Sequence, residues 1–336
     1  MFEDSLEVLD HVRLHFSPAG ILALNIALAF IMFGIALDIH ISDFRKIITR
    51  PKSTLTGIVS QFLLLPALTY LLVLFLRPTP TVALGMILVA SCPGGNISNF
   101  ISSLAKGNTT LSIGLSAIAT LSATFMTPLN FAFWGSLYTH FYNRNDAEAL
   151  LRPLHIDSGQ MFQTVFILLG IPLVLGLIFA RRFPRLTVKI RGPIRKLSVG
   201  IFIAFVVIAL AKNFEFFIQF IHLIFIIVLI HNALALVTGY SASSLMKLPQ
   251  TDRRTIAIET GIQNSGLGLA LIFNPKIFPP DMELGGMAII AAWWGIWHIV
   301  SGLSLSWFWS RKPVTDDEAE AEPLVNVHHH SHAEGK

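Results

Sequence analysis

Apolar runs long enough to cross a bilayer recur along the chain, separated by short polar segments. About nine are predicted, near 18–38, 52–76, 82–105, 109–138, 160–180, 197–211, 216–239, 253–273 and 284–309. The third is interrupted by Cys92-Pro-Gly-Gly95 and the eighth by Thr260-Gly-Ile-Gln-Asn-Ser-Gly266. The sixth is short, and only Lys212-Asn-Phe-Glu215 parts it from the seventh, which makes that boundary the least defined. The pattern predicts an all-α polytopic membrane protein.

Composition agrees. Of 336 residues, 53% are hydrophobic and 13% charged, and the mean hydropathy is +0.66. A soluble domain of this size would expose too much apolar surface. The net charge of +4 reports topology rather than nucleic-acid binding, because the basic residues fall in alternate loops. One set comprises Arg45, Lys46, Arg50, Lys52, Lys106, Arg181, Arg182, Arg185, Lys189, Arg191, Arg195, Lys196, Lys247, Arg253, Arg254, Arg311 and Lys312. The opposite side holds far fewer, which predicts an integral cell (inner) membrane protein with its N-terminus outside and its C-terminus cytoplasmic. Residues 1–17 carry Glu3, Asp4, Glu7 and Asp10 without a basic n-region, so they read as an extracellular segment and not a signal peptide. The loop at 139–159 reads as a solvated outer connection. Residues 310–336 read as a disordered cytoplasmic tail, acidic at Asp316, Asp317, Glu318, Glu320 and Glu322. His328–His330 and His332 follow, with no carboxylate or cysteine geometry to make a metal site. The single cysteine, Cys92, excludes an internal disulfide and zinc-type clusters.

The two interrupted spans carry the chemistry. Given the predicted topology they run in opposite directions through the membrane, which is the pointer to inverted repeats. Each break frees backbone carbonyls, which suit a hard cation, and creates a half-helix N-terminus, which suits an anion. Glu259 immediately precedes the second break. A carboxylate in hydrocarbon costs several kcal/mol unless it is paired, ligated or protonated. The bland alternative is that Pro93 kinks one helix and the glycines permit close packing.

At these residues the sequence resembles the bile acid:sodium symporter family, whose members include the liver and ileal bile acid transporters and bacterial relatives. The likeness runs from about Ile31 to Trp309. It rests on Met32-Phe-Gly34, Gln61 with Pro66, Cys92-Pro-Gly-Gly-Asn-Ile-Ser-Asn99, Ala105-Lys-Gly-Asn108, Glu259-Thr-Gly-Ile-Gln-Asn-Ser-Gly266 and Trp297-His298. The resemblance implies two discontinuous helices crossing in a core domain, beside a panel domain that moves against it. A first repeat would span 18–138, with panel helix 18–38 and core helices 52–138. A second would span 160–309, with panel helices 160–211 and core helices 216–309. Two sodium sites are implied: one from Ser98, Asn99, Ser112, Ser116 and Glu259, the other from Gln61, Glu259 and Gln263 with backbone oxygens of Thr260 and Ile262. An organic anion would bind between the domains, near Asn96, Asn264, Ser265 and His298. Many members have ten spans, so this chain reads as the nine-span form. It departs from the pattern at Asn96, where bacterial relatives often have Thr, and at Ile299, where many have Asn.

The implied function is a sodium-coupled symporter of an organic anion, bile-acid-like or a small carboxylate, working by alternating access. Its expected partners are sodium, that anion and the bilayer, and not nucleic acid. Two alternatives stand beside it: a proton-coupled transporter with Glu259 and His298 as carriers, and a non-transporting membrane sensor. No nucleophile–base pair or phosphate loop points to an enzyme or an ATP-driven pump. His222, His231 and Asn232, in the seventh run, read as packing groups.

Overall fold

Proline placement starts several of the helices. Its fixed φ and missing N–H suit the first helical turn, where no intrahelical bond is lost. In the computed structural model Pro18 opens α1 (Pro18–Asp38), Pro51 opens α2 (Pro51–Leu76), Pro80 opens α3 (Pro80–Ser91) and Pro184 opens α7 (Pro184–Lys212). The others are α4 (Ile97–Leu104), α5 (Thr109–Asn145), α6 (158–182), α8 (Phe214–Leu245), α9 (Gln250–Gly261), α10 (Ser265–Ile272) and α11 (Gly285–Ser310). The structure describes residues 18–39, 50–95, 97–145, 158–212, 214–274, 277–278 and 284–312. The N-terminal segment 1–17, Arg45, Lys46, Asn96, residues 146–157 of the outer loop and the tail from 313 therefore lie outside the described residues.

Five described helical stretches are long and apolar enough to cross a membrane: Pro51–Leu76, Thr109–Phe141, Phe162–Arg182, Ile224–Leu245 and Gly285–Ser310. They fall at the second, fourth, fifth, seventh and ninth predicted runs. The surface has the polarity of a protein solvated by lipid: Phe75, Phe125, Leu129, Phe133, Ile178 and Val237 are exposed. Many polar side chains lie inside, among them Gln61, Asn232, Glu259 and Gln263. This arrangement is that of an integral membrane protein.

The third and eighth runs are broken as predicted. Helix α3 ends at Ser91 and α4 begins at Ile97; α9 ends at Gly261 and α10 begins at Ser265. The two unwound segments run past each other and pair as a single antiparallel bridge between Gly94 and Gln263. Gly95 N donates to Ile262 O at 2.9 Å and Asn264 N to Pro93 O at 2.8 Å. Backbone groups freed from two helices thus satisfy one another inside the protein, as the absence of water in a bilayer demands.

Packing is closest where glycine removes the side chain. A Cβ at Gly239 of α8 would stand 2.5 Å from Ile256 O of α9, so those two helices touch backbone to backbone. Helix α3 packs on α11, and α1 packs against α6 and α7. In α2 the residues Ser60–Leu64 form a π-helical turn, just ahead of Pro66. That proline lacks the N–H that would answer Phe62 O in an α-helix, and Asn130 of α5 donates to this oxygen instead, at 3.0 Å.

The basic stretch 181–196 differs from the expected loop. It forms the end of α6 and the first half of α7, with Phe183 as the bend between them. Charge says that a segment meets water; it does not say that the backbone is irregular. Lys212 and Phe214 end and begin α7 and α8, so the weak boundary falls where predicted. Arg254, counted with the loop charges, is instead fully buried in α9. It donates to Ala105 O at 2.9 Å and Trp309 O at 3.2 Å. Two residues earlier, Asp252 accepts from Ser53 at 2.5 Å and Asn108 at 2.8 Å, with Arg50 at 3.4 Å. These contacts tie together the ends of α2, α4, α5, α9 and α11.

Candidate functional site

The site is built at the crossing. Helix α9 carries Glu259 to within one turn of its own end, α4 begins just past the other break with Ser98 and Asn99, and α5 presents Ser112 and Ser116 on one face, four residues apart. Glu259 is 5% exposed. Its Oε1 accepts from Ser98 Oγ at 2.6 Å, from Ser116 Oγ at 3.2 Å and from Ser112 Oγ; its Oε2 accepts from Ser116 Oγ at 3.0 Å. Asn99 Oδ1 lies 2.8 Å from Ser112 Oγ and 3.2 Å from Ser116 Oγ. The five residues expected at the first sodium site therefore converge.

Ser112 and Ser116 each have one hydroxyl proton and cannot serve Glu259 and Asn99 at once. No Lys, Arg or His pairs with Glu259 among the described residues. The cluster is rich in oxygen, poor in protons and carries an uncompensated carboxylate. A hard cation ligated by oxygen alone fits that chemistry, because it supplies the missing positive charge and takes up spare lone pairs.

Of the residues expected at the second site, Gln61, Gln263 and the Thr260 carbonyl meet. Gln61 Nε2 donates to Gln263 Oε1 at 2.9 Å and to Cys92 O at 2.9 Å. In return Gln263 Nε2 lies 3.2 Å from Gln61 Oε1 and 2.7 Å from Thr260 O. The Ile262 carbonyl accepts from Gly95 N in the crossing. These oxygens are paired with amide N–H groups, yet each keeps a second lone pair. A narrow cleft is lined by Gln61, Gly94 and Glu259 with Gly57, Leu115 and others, so it adjoins both clusters.

The residues expected near the anion are more scattered in role. Asn264 caps α10, its Oδ1 accepting from Leu267 N at 3.1 Å. Ser265 is buried against α11, where a Cβ on Gly295 would meet its Oγ at 2.6 Å. His298 is buried in α11, and its Nδ1 has no hydrogen-bond partner among the described residues. The N-termini of α4 and α10 both open at the crossing, and their helix dipoles bring partial positive charge there.

Sequence reasoning missed Asn232. It was read as a packing group, but its Nδ2 donates to Gly261 O at the end of α9, at 2.7 Å. The available signal was an amide in the middle of an otherwise apolar span. His231 fits its packing reading, sitting 2.8 Å from Thr69 Oγ1 and edge-on to Trp294.

The chain is 31% identical over 292 residues to the uncharacterized sodium-dependent transporter YocS of Bacillus subtilis, covering 86% of this chain and 83% of that protein. It is 28% identical to the P3 protein of Homo sapiens, over 80% of this chain and 54% of that protein. It is likewise 28% identical to the probable sodium/metabolite cotransporter BASS2, chloroplastic, of Oryza sativa, over 80% of this chain and 63% of that protein. The chain thus spans only part of the human and rice relatives. The sequence profile of the sodium bile acid symporter family matches residues 25–220. By this profile match and these identities, the chain belongs to the sodium bile acid symporter family, a family of sodium-coupled transporters.

Proposed function

We propose that the chain carries an organic anion together with two sodium ions by alternating access. The first ion is held by Ser98, Asn99, Ser112, Ser116 and Glu259. The second is held by Gln61, Glu259 and Gln263 with the carbonyls of Thr260 and Ile262. The single observation behind this reading is the unpaired carboxylate ringed by three serine hydroxyls, two of which also reach an amide oxygen. Asn264 and His298 stand toward the anion, which takes the positive ends of α4 and α10. Helices α1, α6 and α7 form the panel, a grouping supported by their mutual packing. The remaining helices form the core, and the N-terminus faces outward. Sodium stiffens the crossing, and the anion then binds a geometry already selected, which couples the two.

The test uses purified protein in liposomes under an imposed sodium gradient, screened with radiolabelled bile acids and small carboxylates. Uptake that needs inward-directed sodium supports the proposal. Uptake driven by a pH gradient in sodium-free medium would replace sodium by protons at Glu259. Binding without flux would leave a sensor.

A further inference from the structure

We propose that Asn232 and Ser301 form a positioning pair that sets the carbonyl directions at the end of α9, and so the sodium affinity of the Gln61–Gln263 side. This rests on the sodium reading above. Asn232 is wholly buried in α8. Its Nδ2 donates to Gly261 O at 2.7 Å, while its Oδ1 receives Ser301 Oγ of α11 at 2.5 Å. The second contact orients the first: a flipped amide would set its own oxygen against Gly261 O and its NH₂ against a hydroxyl. Ser301 Oγ also lies 3.1 Å from His298 O, one turn earlier in α11.

The carbonyls around the break are each engaged differently. Ile258 O accepts from Ile262 N at 2.9 Å, and Ile262 O from Gly95 N at 2.9 Å. Thr260 O accepts from Gln263 Nε2 at 2.7 Å. Gly261 O alone in this group takes a side-chain donor from α8, a helix outside the crossing. A peptide unit is planar, so pinning that oxygen fixes the Gly261–Ile262 plane. That plane lies between the peptide units that carry the Thr260 and Ile262 carbonyls, both named at the second sodium site, and so limits how far each of them can turn. Asn232 touches no proposed ion; it acts through the backbone, as outer partners orient the ligands of other metal sites. Ser301 extends the same control to the helix that bears His298.

The experiment is thermal unfolding of the full chain in detergent, titrated with sodium chloride and in parallel with lithium chloride, choline keeping the ionic strength constant. Wild type is compared with Asn232→Ala, Asn232→Asp and Ser301→Ala. The half-saturating sodium concentration is expected to rise about tenfold or more in both Asn232 variants and less in Ser301→Ala, with an altered lithium-to-sodium ratio. A purely structural role would lower the unfolding temperature in choline and leave both readouts in place. Variants within about twofold of wild type on both readouts overturn the inference. Should Asn232→Ala fail to fold, Ser301→Ala alone decides in the same way. A wild-type protein indifferent to sodium removes the sodium reading and this inference together; a responsive wild type with unaltered variants removes the inference only.

Discussion

Ser98 Oγ lies 2.6 Å from Glu259 Oε1, although the two residues are 161 positions apart and belong to different broken helices. The contact joins the two breaks through a carboxylate, so the charge that makes the crossing costly is also what a cation would relieve. Wild-type protein is therefore expected to unfold at a higher temperature in sodium than in potassium or choline. At a sodium concentration a hundredfold above half-saturation the gain is about 2.7 kcal/mol. Glu259→Ala is expected to unfold at the same temperature in all three salts, and a sodium shift that survives the substitution would exclude this carboxylate as the ligand.

The serines should grade according to their contacts. Ser112 reaches both Glu259 and Asn99, and Ser116 reaches both carboxylate oxygens. Ser112→Ala and Ser116→Ala each remove a hydroxyl facing a charged group, worth about 1.5–3 kcal/mol. A rise of roughly tenfold or more in half-saturating sodium is expected for each. Ser116→Thr keeps the oxygen and is expected to stay near wild type. Sodium titration of uptake in liposomes is the measurement.

Gly94 leaves room for the carboxylate. A Cβ there would stand 3.2 Å from Glu259 Oε2 and 3.3 Å from Glu259 O. In Gly94→Ala the crossing has to open by a few tenths of an ångström, at a cost of about 1–3 kcal/mol. Folded, monodisperse protein with weakened sodium stabilisation is expected; unchanged sodium binding would mean that the crossing is more compliant than its backbone pairing implies.

Asn130 answers an oxygen that a proline has orphaned. Asn130→Leu leaves Phe62 O unsatisfied in an apolar setting and should destabilise the protein by about 1–3 kcal/mol. Adding Pro66→Ala restores an N–H beneath that oxygen and should recover part of the loss. A double variant no more stable than Asn130→Leu would place the cost elsewhere.

The proposed topology is checked by labelling. Cys92 is buried and is the only cysteine, so Cys92→Ala gives a background for Gly159→Cys and Arg185→Cys, both at exposed positions. An impermeant maleimide added to intact cells should label the first and spare the second. The reverse pattern would invert the assignment of inside and outside.

What the sequence determined by itself is what local physics can state. Long apolar runs require a lipid environment whatever they pack against. Proline and glycine at 92–95 and glycines and polar side chains at 260–266 weaken a helix wherever it lies, and a carboxylate among apolar residues needs a partner. Those facts marked the spans, both breaks and Glu259. The serines and Gln61 came from resemblance, since a hydroxyl or amide in a span is as readily glue between helices as a ligand. Only the tertiary structure decided which groups meet: that Gln61 pairs with Gln263, that Asn130 answers Phe62, and that Asn232 holds the end of α9. It also decided that the basic stretch 181–196 is helical. The reason is the same in each case. Burial dictates that a polar group be satisfied, but the partner lies tens to hundreds of residues away, and only the packing of the helices brings it within reach.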